Sequence, residues 1–275
     1  MGDITAGELL DNFVIMQSIR RFFNYIGCAF HLGTNMIDTW KIFWAQTKNL
    51  RVRLYLARHH PEHVFSLKTR YGRLYFRDNF GDITNLANLF YHPAYPVGTL
   101  EGPGVILDVG GNIGLAAAWF AFHNPQRELY CFEPLLPNTE MIARNCPHAQ
   151  VQAVALGAEA GTTTMHVDPD SVMAVSIPMK WETSAASFEV MALDDFIKAH
   201  DITKVALLKM DTEGMELEIF KGAMKTLEIT QQVAMETHGQ ERHIASLDIL
   251  RDSGFSIESE TFDGSTGMIF ASRQA

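Results

Sequence analysis

An α/β fold built on a mostly parallel sheet is predicted by three stretches of this 275-residue chain. Val105-Ile106-Leu107-Asp108-Val109-Gly110-Gly111-Asn112-Ile113-Gly114 is an apolar run that ends in an acid and three glycines, the pattern of a strand, a tight loop and a helix start. Ile113 to Phe122 continues as a helix that stops before Asn124-Pro125, and Glu128 to Phe132 follows as a short strand, completing a βαβ unit. Val205 to Met210 is a nearly continuous apolar run broken by Lys209, as a central parallel strand buried on both faces requires.

Composition bounds the rest. With 47% hydrophobic residues the chain can bury one sizeable core and carry an extension, which divides it into a helical part over 1–63 and an α/β domain over 64–275. Residues 1–63 hold seven Lys and Arg against five Asp and Glu, a balance of +2, so the remainder carries −12 of the net −10. That acidity excludes nucleic acid as a partner, because phosphate neutralisation needs clustered Lys and Arg. Cys28, Cys131 and Cys146 are odd in number and lack metal-site spacing, so neither a disulfide framework nor zinc is expected, and a reducing cytoplasm fits. Asp3, Glu8 and Arg20-Arg21 interrupt the first apolar stretch, which argues against a signal peptide or a membrane span. Ala6 stands where a myristoylation motif asks for Ser or Thr.

Taken in chain order, Leu9, Leu10, Phe13, Val14, Met16 and Ile19 recur at helical intervals into Phe22, Phe23 and Ile26. Ile37, Trp40, Trp44 and Leu54 then mark a second amphipathic helix ending before Pro61. Three surfaces would cover these stripes. They are the catalytic domain, with the helices as a lid, a second subunit in a homodimer, or a membrane surface. In the last case Phe22, Phe23, Trp40 and Trp44 enter the interface while Arg20, Arg21, Arg51 and Arg53 face headgroups. His59, His60 and His63 lack metal-ligand spacing and read as a solvated helix end. A hairpin follows, Val64 to Lys68 and Arg73 to Arg77, turned through Arg70-Tyr71-Gly72, and Asp82 is placed to N-cap a helix running toward Tyr91.

At the glycine turn, Gly110, Gly111 and Gly114 lack the Cβ that would keep a ligand off the backbone, and the helix from Ile113 turns N–H groups toward it. The spacing has neither G-x-G-x-x-G nor a phosphate loop, so a carboxylate-bearing nucleoside ligand fits better than a phosphate. Glu133 closes the second strand, where an acid accepts hydrogen bonds from ribose hydroxyls. Val151 to Leu156 supplies a third strand before Gly157. Residues 157–190 are the least regular part, with a strand at Thr162 to Val167 and a loop through Pro169, Ser171 and Pro178, an insertion able to shape an acceptor pocket. Two strand ends then deliver polar pairs spaced i and i+2, Asp211 with Glu213 and Glu236 with His238. If the strands persist, each pair projects into the crevice where open α/β sheets bind ligands.

At this point the chain resembles the class I S-adenosylmethionine-dependent methyltransferases, and among them the FkbM family, over roughly residues 64–272. Asp108-Val-Gly-Gly-Asn-Ile-Gly114 is similar to the first motif, Phe132-Glu133-Pro134 with Asn138 to the second, and Val154-Ala155-Leu156-Gly157 to the third. Ala192-Leu193-Asp194-Asp195-Phe196, Leu208-Lys209-Met210-Asp211-Thr212-Glu213-Gly214-Met215-Glu216 and Met235-Glu236-Thr237-His238 follow in family order. Gly111 departs mildly, where Ala is common, as do Met210 and Thr212, where Ile or Val is common. The resemblance implies a Rossmann-like sheet whose last strand, near Met268 to Ser272, is antiparallel. It implies S-adenosylmethionine as cofactor, held by Asp108, Gly110, Gly111, Asn112, Gly114, Glu133, Ala155 and Leu156, with Asp82 and Tyr95 at the entrance.

The implied activity is O-methylation of a small hydroxylated acceptor, such as a sugar or natural-product intermediate, with Asp211, Glu213, Glu236 and His238 as the catalytic set. His238 is the expected base, since an imidazole with its ordinary pKa of about 6.5 accepts a proton near neutrality. Asp211 or Glu236 would orient it or hold acceptor hydroxyls, and Lys209 would pair with Asp211 or Glu216. No metal is expected. In a competing version the same four residues hold a divalent cation that lowers the hydroxyl pKa directly, for O- or N-methylation. The alternative from another class is a non-catalytic cofactor-binding or membrane-docked partner protein.

Overall fold

The computed structural model describes residues 22–53, 58–91, 94–95, 97–168, 173–175 and 184–273. The expectations for Leu9 to Ile19, Arg20, Arg21, Leu54, Pro169, Ser171 and Pro178 lie outside the described residues. The chain divides into two compact units, Met1–Pro93 and Ala94–Ala275, which groups the hairpin with the helices.

In the first unit, α1 (22–32), α2 (Met36–Gln46) and α3 (Lys48–Arg53) precede an antiparallel hairpin, β1 (His60–Thr69) and β2 (Gly72–Asp78), and α4 (Phe80–Phe90). The hairpin reverses where Gly72 takes a φ of 113°, a conformation that favours glycine. Leu32, Ile42, Leu74, Phe76 and Leu86 form the unit's apolar interior. The cap of α4 is Asn79, three residues before the expected Asp82. The Asn79 side chain accepts from the Asp82 N–H at 2.8 Å, and Asp82 takes Arg77 in a two-pronged ion pair at 2.9 and 3.0 Å. An acid in the first turn is favoured by the helix dipole without being the cap itself.

The second unit holds the α/β sheet. Its strands are β3 (Val105–Val109), β4 (Leu129–Phe132), β5 (Gln150–Gln152), β10 (Val205–Met210), β11 (Thr230–His238), β12 (Ser256–Phe262) and β13 (Thr266–Ser272), in the spatial order β12-β13-β11-β10-β3-β4-β5. Neighbours from β11 to β5 run parallel, and β13 is antiparallel to β11, as expected. All six residues of β10 are buried, which explains a run that is apolar except for Lys209. Around it pack α5 (Leu115–His123), α6 (Leu136–Asn145), α7 (Leu193–Ala199), α8 (Glu216–Lys221), α9 (Met224–Glu228) and α10 (Gln240–Asp252). Leu107, Leu208, Val233, Phe132, Phe196 and Leu250 belong to the shared apolar core. From β3 the chain builds outward through β4 and β5, then crosses back to β10 on the other side. That reversal opens a crevice between the carboxyl ends of β3 and β10.

Three expectations change. Helix α5 begins at Leu115 instead of Ile113, because Asn112 (φ 47°) and Gly114 (φ 82°) are both left-handed and no helix propagates through them. The strand expected over Val151–Leu156 is split, since the Val154 N–H donates to the Gln152 carbonyl at 2.9 Å and turns the chain out of the main sheet. The next two residues, β6 (Ala155–Leu156), pair with β9 (Ser184–Met191) in a second sheet of order β6-β9-β7-β8, with β7 (Gly161–Asp168) and β8 (Met173–Val175). Much of the supposedly irregular insertion is therefore a β-sheet. The strand expected at Thr162 to Val167 is β7, whereas β8 and β9 were not expected.

Candidate active site

The crevice is a cleft of ≈ 660 Å³, counting the space open to solvent. Val109, Gly110 and Asn112 line it from the β3 turn, Phe132, Glu133 and Asn138 from β4 and α6, and Ala155, Leu156 and Met165 from the second sheet. Asp211, Thr212 and Glu213 line it from the end of β10. Of the residues expected to hold a cofactor, Gly110, Asn112, Glu133, Ala155 and Leu156 reach this cleft.

Asp108, Gly111 and Gly114 lie behind its wall. A Cβ on Gly111 would stand 2.9 Å from Ile142 Cδ1, and one on Gly114 2.9 Å from Ile142 Cα, so these two glycines admit α6 and not a ligand. Gly110 is bare for a similar reason, since a Cβ there would meet the Asp211 carbonyl oxygen at 1.8 Å. Asp108 is buried and its carboxylate lies 2.9 Å from Lys209 Nζ, which also donates to the Gly110 carbonyl at 2.7 Å. Lys209 thus pairs with Asp108, in place of the expected Asp211 or Glu216, because these residues are register neighbours on β3 and β10. Burial works against its charge, but the carboxylates of Asp108 and Asp211 hold its pKa above the usual lysine value, so it stays an ammonium. Asp82 lies in the first unit with its carboxylate committed to Arg77 and Asn79.

Glu133 sits at the mouth of β4 as the motif predicts. Its carboxylate accepts from the Asn112 N–H at 2.9 Å, the Leu135 N–H at 3.0 Å and Asn138 Nδ2 at 3.2 Å. Burial pushes its pKa up to about 7, and those three donors limit the rise. Beside it, Asn112 Oδ1 is buried and accepts no hydrogen bond among the described residues. A carboxylate with unused lone pairs and a free amide oxygen suit a ligand that brings hydroxyl or ammonium donors.

The four expected catalytic residues converge. Asp211, Glu213 and His238 each place a potential ligand atom within 4.8 Å of one another, and Glu236 Oε1 lies 3.9 Å from His238 Nε2. Glu236 and His238 share a face of β11 by strand alternation. Asp211 and Glu213 follow the end of β10, so a turn brings them in, through Glu213 at φ 52° and Gly214 at φ 103°.

Their electrostatics revise the role of His238. Its Nε2 lies 3.2 Å from Glu213 and its Nδ1 2.7 Å from Glu216, a fully buried acid in the first turn of α8. Burial alone would lower its pKa, but the hydrogen bond to Glu216 and the charges of Glu213, Glu216 and Asp211 raise it to about 9. That shift favours the imidazolium at neutral pH and so disfavours His238 as the resting base. Glu236 is pushed up to about 7 by burial and by Asp211. Tyr95 donates its hydroxyl to Asp211 at 3.0 Å, and burial with the nearby acids keeps that hydroxyl protonated.

Sequence reasoning missed Glu216 as the partner of His238. A glutamate in a helix first turn reads as dipole complementation, and its burial is a tertiary fact. The link from Tyr95 to Asp211 spans 116 residues and leaves no local signal.

The family profile of the methyltransferase FkbM domain matches residues 108–257. The chain is 25% identical over 159 residues to Methyltransferase 1 of Beauveria bassiana, covering 49% of this chain and 64% of that protein. It is 24% identical over 140 residues to the hexuronic acid methyltransferase AglP of Haloferax volcanii, covering 50% and 57%. The chain therefore spans less than two thirds of the length of both. Among solved structures, methyltransferase FkbM from Methylobacillus flagellatus aligns over 92% of this chain and 60% of its own, at 14% identity and a TM-score of 0.44.

Proposed function

The chain belongs to the FkbM methyltransferase family, and from that premise we propose that it transfers the methyl group of S-adenosylmethionine to a hydroxyl of a small, polyhydroxylated acceptor. The observation that carries this reading is the convergence of Asp211, Glu213, Glu236 and His238 at one end of a cleft whose other end offers Glu133 and Asn112. The cofactor supplies an activated methyl on a sulfonium cation. What the protein must add is alignment, a home for that cation and a place for the acceptor proton.

Glu133 suits ribose hydroxyls and Asn112 Oδ1 suits an amino group. The carboxylates of Asp211, Glu213 and Glu236 suit both a cationic sulfonium and the donor hydroxyls of a sugar-like acceptor. The hexuronic acid specificity of AglP favours a carbohydrate class, while the acidity of this site favours a neutral polyol over a charged uronate. Glu236 takes the hydroxyl proton, with a pKa near the working pH. His238, oriented by Glu216, remains charged and holds Glu213 and Glu236 in place.

Calorimetric titration tests the cofactor half of this reading. S-adenosylhomocysteine should bind and NAD should not, and Glu133→Ala should weaken S-adenosylhomocysteine by about 1.5–3 kcal/mol, the worth of hydrogen bonds to a charged group. Unchanged affinity in that variant would place Glu133 outside the ribose site, and tight NAD binding alone would remove the cofactor assignment.

A second reading is favoured by one observation, that Asp211, Glu213 and His238 could ligate a divalent cation together. His238 Nδ1 is already held by a buried carboxylate, the arrangement that aims Nε2 at a metal. The acid–base reading expects methyl transfer to survive exhaustive dialysis against EDTA. Loss of turnover restored by Mg²⁺ or Mn²⁺ would shift the chemistry to the cation.

A further inference from the structure

Helix α2 is inside out. Its buried residues are Asp38, Thr39, Ile42 and Gln46, three of them polar, while Met36, Ile37, Trp40 and Trp44 are 72%, 68%, 60% and 50% exposed. Helix α1 adds exposed Phe22, Phe23 and Phe30. The rings form a connected sheet, with Trp40 stacked on Trp44 at 6.0 Å, Trp40 beside Phe43 at 5.8 Å, and Phe22 edge-on to Phe43 at 5.6 Å and to Phe23 at 6.2 Å. A helix facing only water would reverse this pattern, so the arrangement calls for an apolar environment beyond the described residues.

Charge selects which one. Residues 22–53 contain Lys41, Lys48, Arg51 and Arg53 against Asp38 alone, and because Lys48 pairs with Asp78 of the hairpin, the local balance is +2 in a chain of −10. Asp38 is buried and receives hydrogen bonds from Thr34 and Asn35. Lys41 stands exposed next to Trp40, and the Arg51 guanidinium lies 3.9 Å over the Trp44 ring. A patch of tryptophans, phenylalanines and long-stemmed cations whose adjacent acids, Asp38 and Asp78, are buried matches the boundary between acyl chains and anionic headgroups. None of the described helices is long and apolar enough to cross a membrane, so the contact lies in the surface plane.

We propose that the exposed face of α1 and α2 docks on an anionic phospholipid surface, with Trp40 and Trp44 entering the interface and Lys41 and Arg51 on the headgroups. A self-complementary dimer would bring two patches of net positive charge together, which disfavours a second copy as the occupant.

Flotation of the intact chain with phosphatidylcholine vesicles, with and without phosphatidylglycerol, tests this. Expected are binding to the phosphatidylglycerol vesicles, loss of it in high salt, and a blue shift of tryptophan fluorescence quenched by brominated acyl chains. Lys41→Ala should lower partitioning roughly fivefold, and Trp40→Ser with Trp44→Ser should abolish it. Both variants alter exposed side chains, so circular dichroism should be unchanged. Absence of vesicle binding by the intact chain, equal binding to neutral vesicles, or unaltered binding by the tryptophan variant would overturn the proposal. So would a dimer by light scattering that the tryptophan variant dissociates while vesicles leave it intact.

Discussion

Glu236→Gln should lower turnover by about 10²–10⁴-fold, the usual contribution of a positioned proton acceptor, with S-adenosylhomocysteine affinity nearly unchanged. The same variant should be more resistant to heat than the parent at pH 8. Burial and Asp211 raise the Glu236 pKa to about 7, above the 4.5 of an unhindered glutamate. Its folded state therefore favours the proton, so its contribution to stability is complete below about 4.5 and is lost as pH rises through about 7. An amide has no such loss. His238 acts in the same direction at higher pH, because its pKa is raised from 6.5 to about 9 and its stabilisation disappears across that interval. Turnover in the parent should rise through about pH 7 as Glu236 ionises and fall through about pH 9 as His238 loses its charge. If Glu236→Gln keeps near-normal turnover and the rising limb persists, another carboxylate accepts the proton, with Asp211 the first to examine.

The second large effect is on folding. Lys209→Ala should destabilise the protein by about 3–5 kcal/mol, as expected when one partner of a buried ion pair is removed and the other charge stays behind. Asp108 is fully buried with Lys209 2.9 Å away, and the ammonium also donates to the Gly110 carbonyl, so alanine strands both. Replacing both members with apolar residues, Asp108→Leu with Lys209→Met, should recover much of the loss. Urea denaturation of the three proteins measures it. A cost for Lys209→Ala under about 1 kcal/mol would mean that the pair contributes no more than an exposed one.

Much of the sheet was legible because its strands differ in how they are covered. The apolar run of Val205–Met210 identifies a central strand, and the glycine turn after Val109 identifies its neighbour. Within residues 157–190 the strand at Thr162 to Val167 was legible, but β9 was not, because a polar strand at the margin lacks the alternation that burial imposes. The convergence of Asp211, Glu213, Glu236 and His238 was legible from two i, i+2 pairs, yet half of it comes from a left-handed turn at Glu213 that no periodicity encodes. The charge that the site favours on His238 was not legible for a related reason. Its ordinary pKa is a property of the residue, whereas the shifted one belongs to Glu213 and Glu216, which fold onto it from another element. Glycines were recognised correctly as places of close approach, but the approaching groups are Ile142 and Asp211 of the chain itself.

That last contact limits how such a protein can diversify. Because the Asp211 carbonyl occupies the space beside Gly110, the turn after β3 and the turn after β10 fit together as a key fits a lock, and neither can be remodelled while the other is kept. New acceptors must then be accommodated by changing parts that this joint does not fasten. The second sheet is one such part, since among its described residues Ala155, Leu156 and Met165 face the cleft. Lineages of this architecture are expected to inherit the two turns as a fixed unit and to explore substrates through the length and sequence of the strands from β6 to β9.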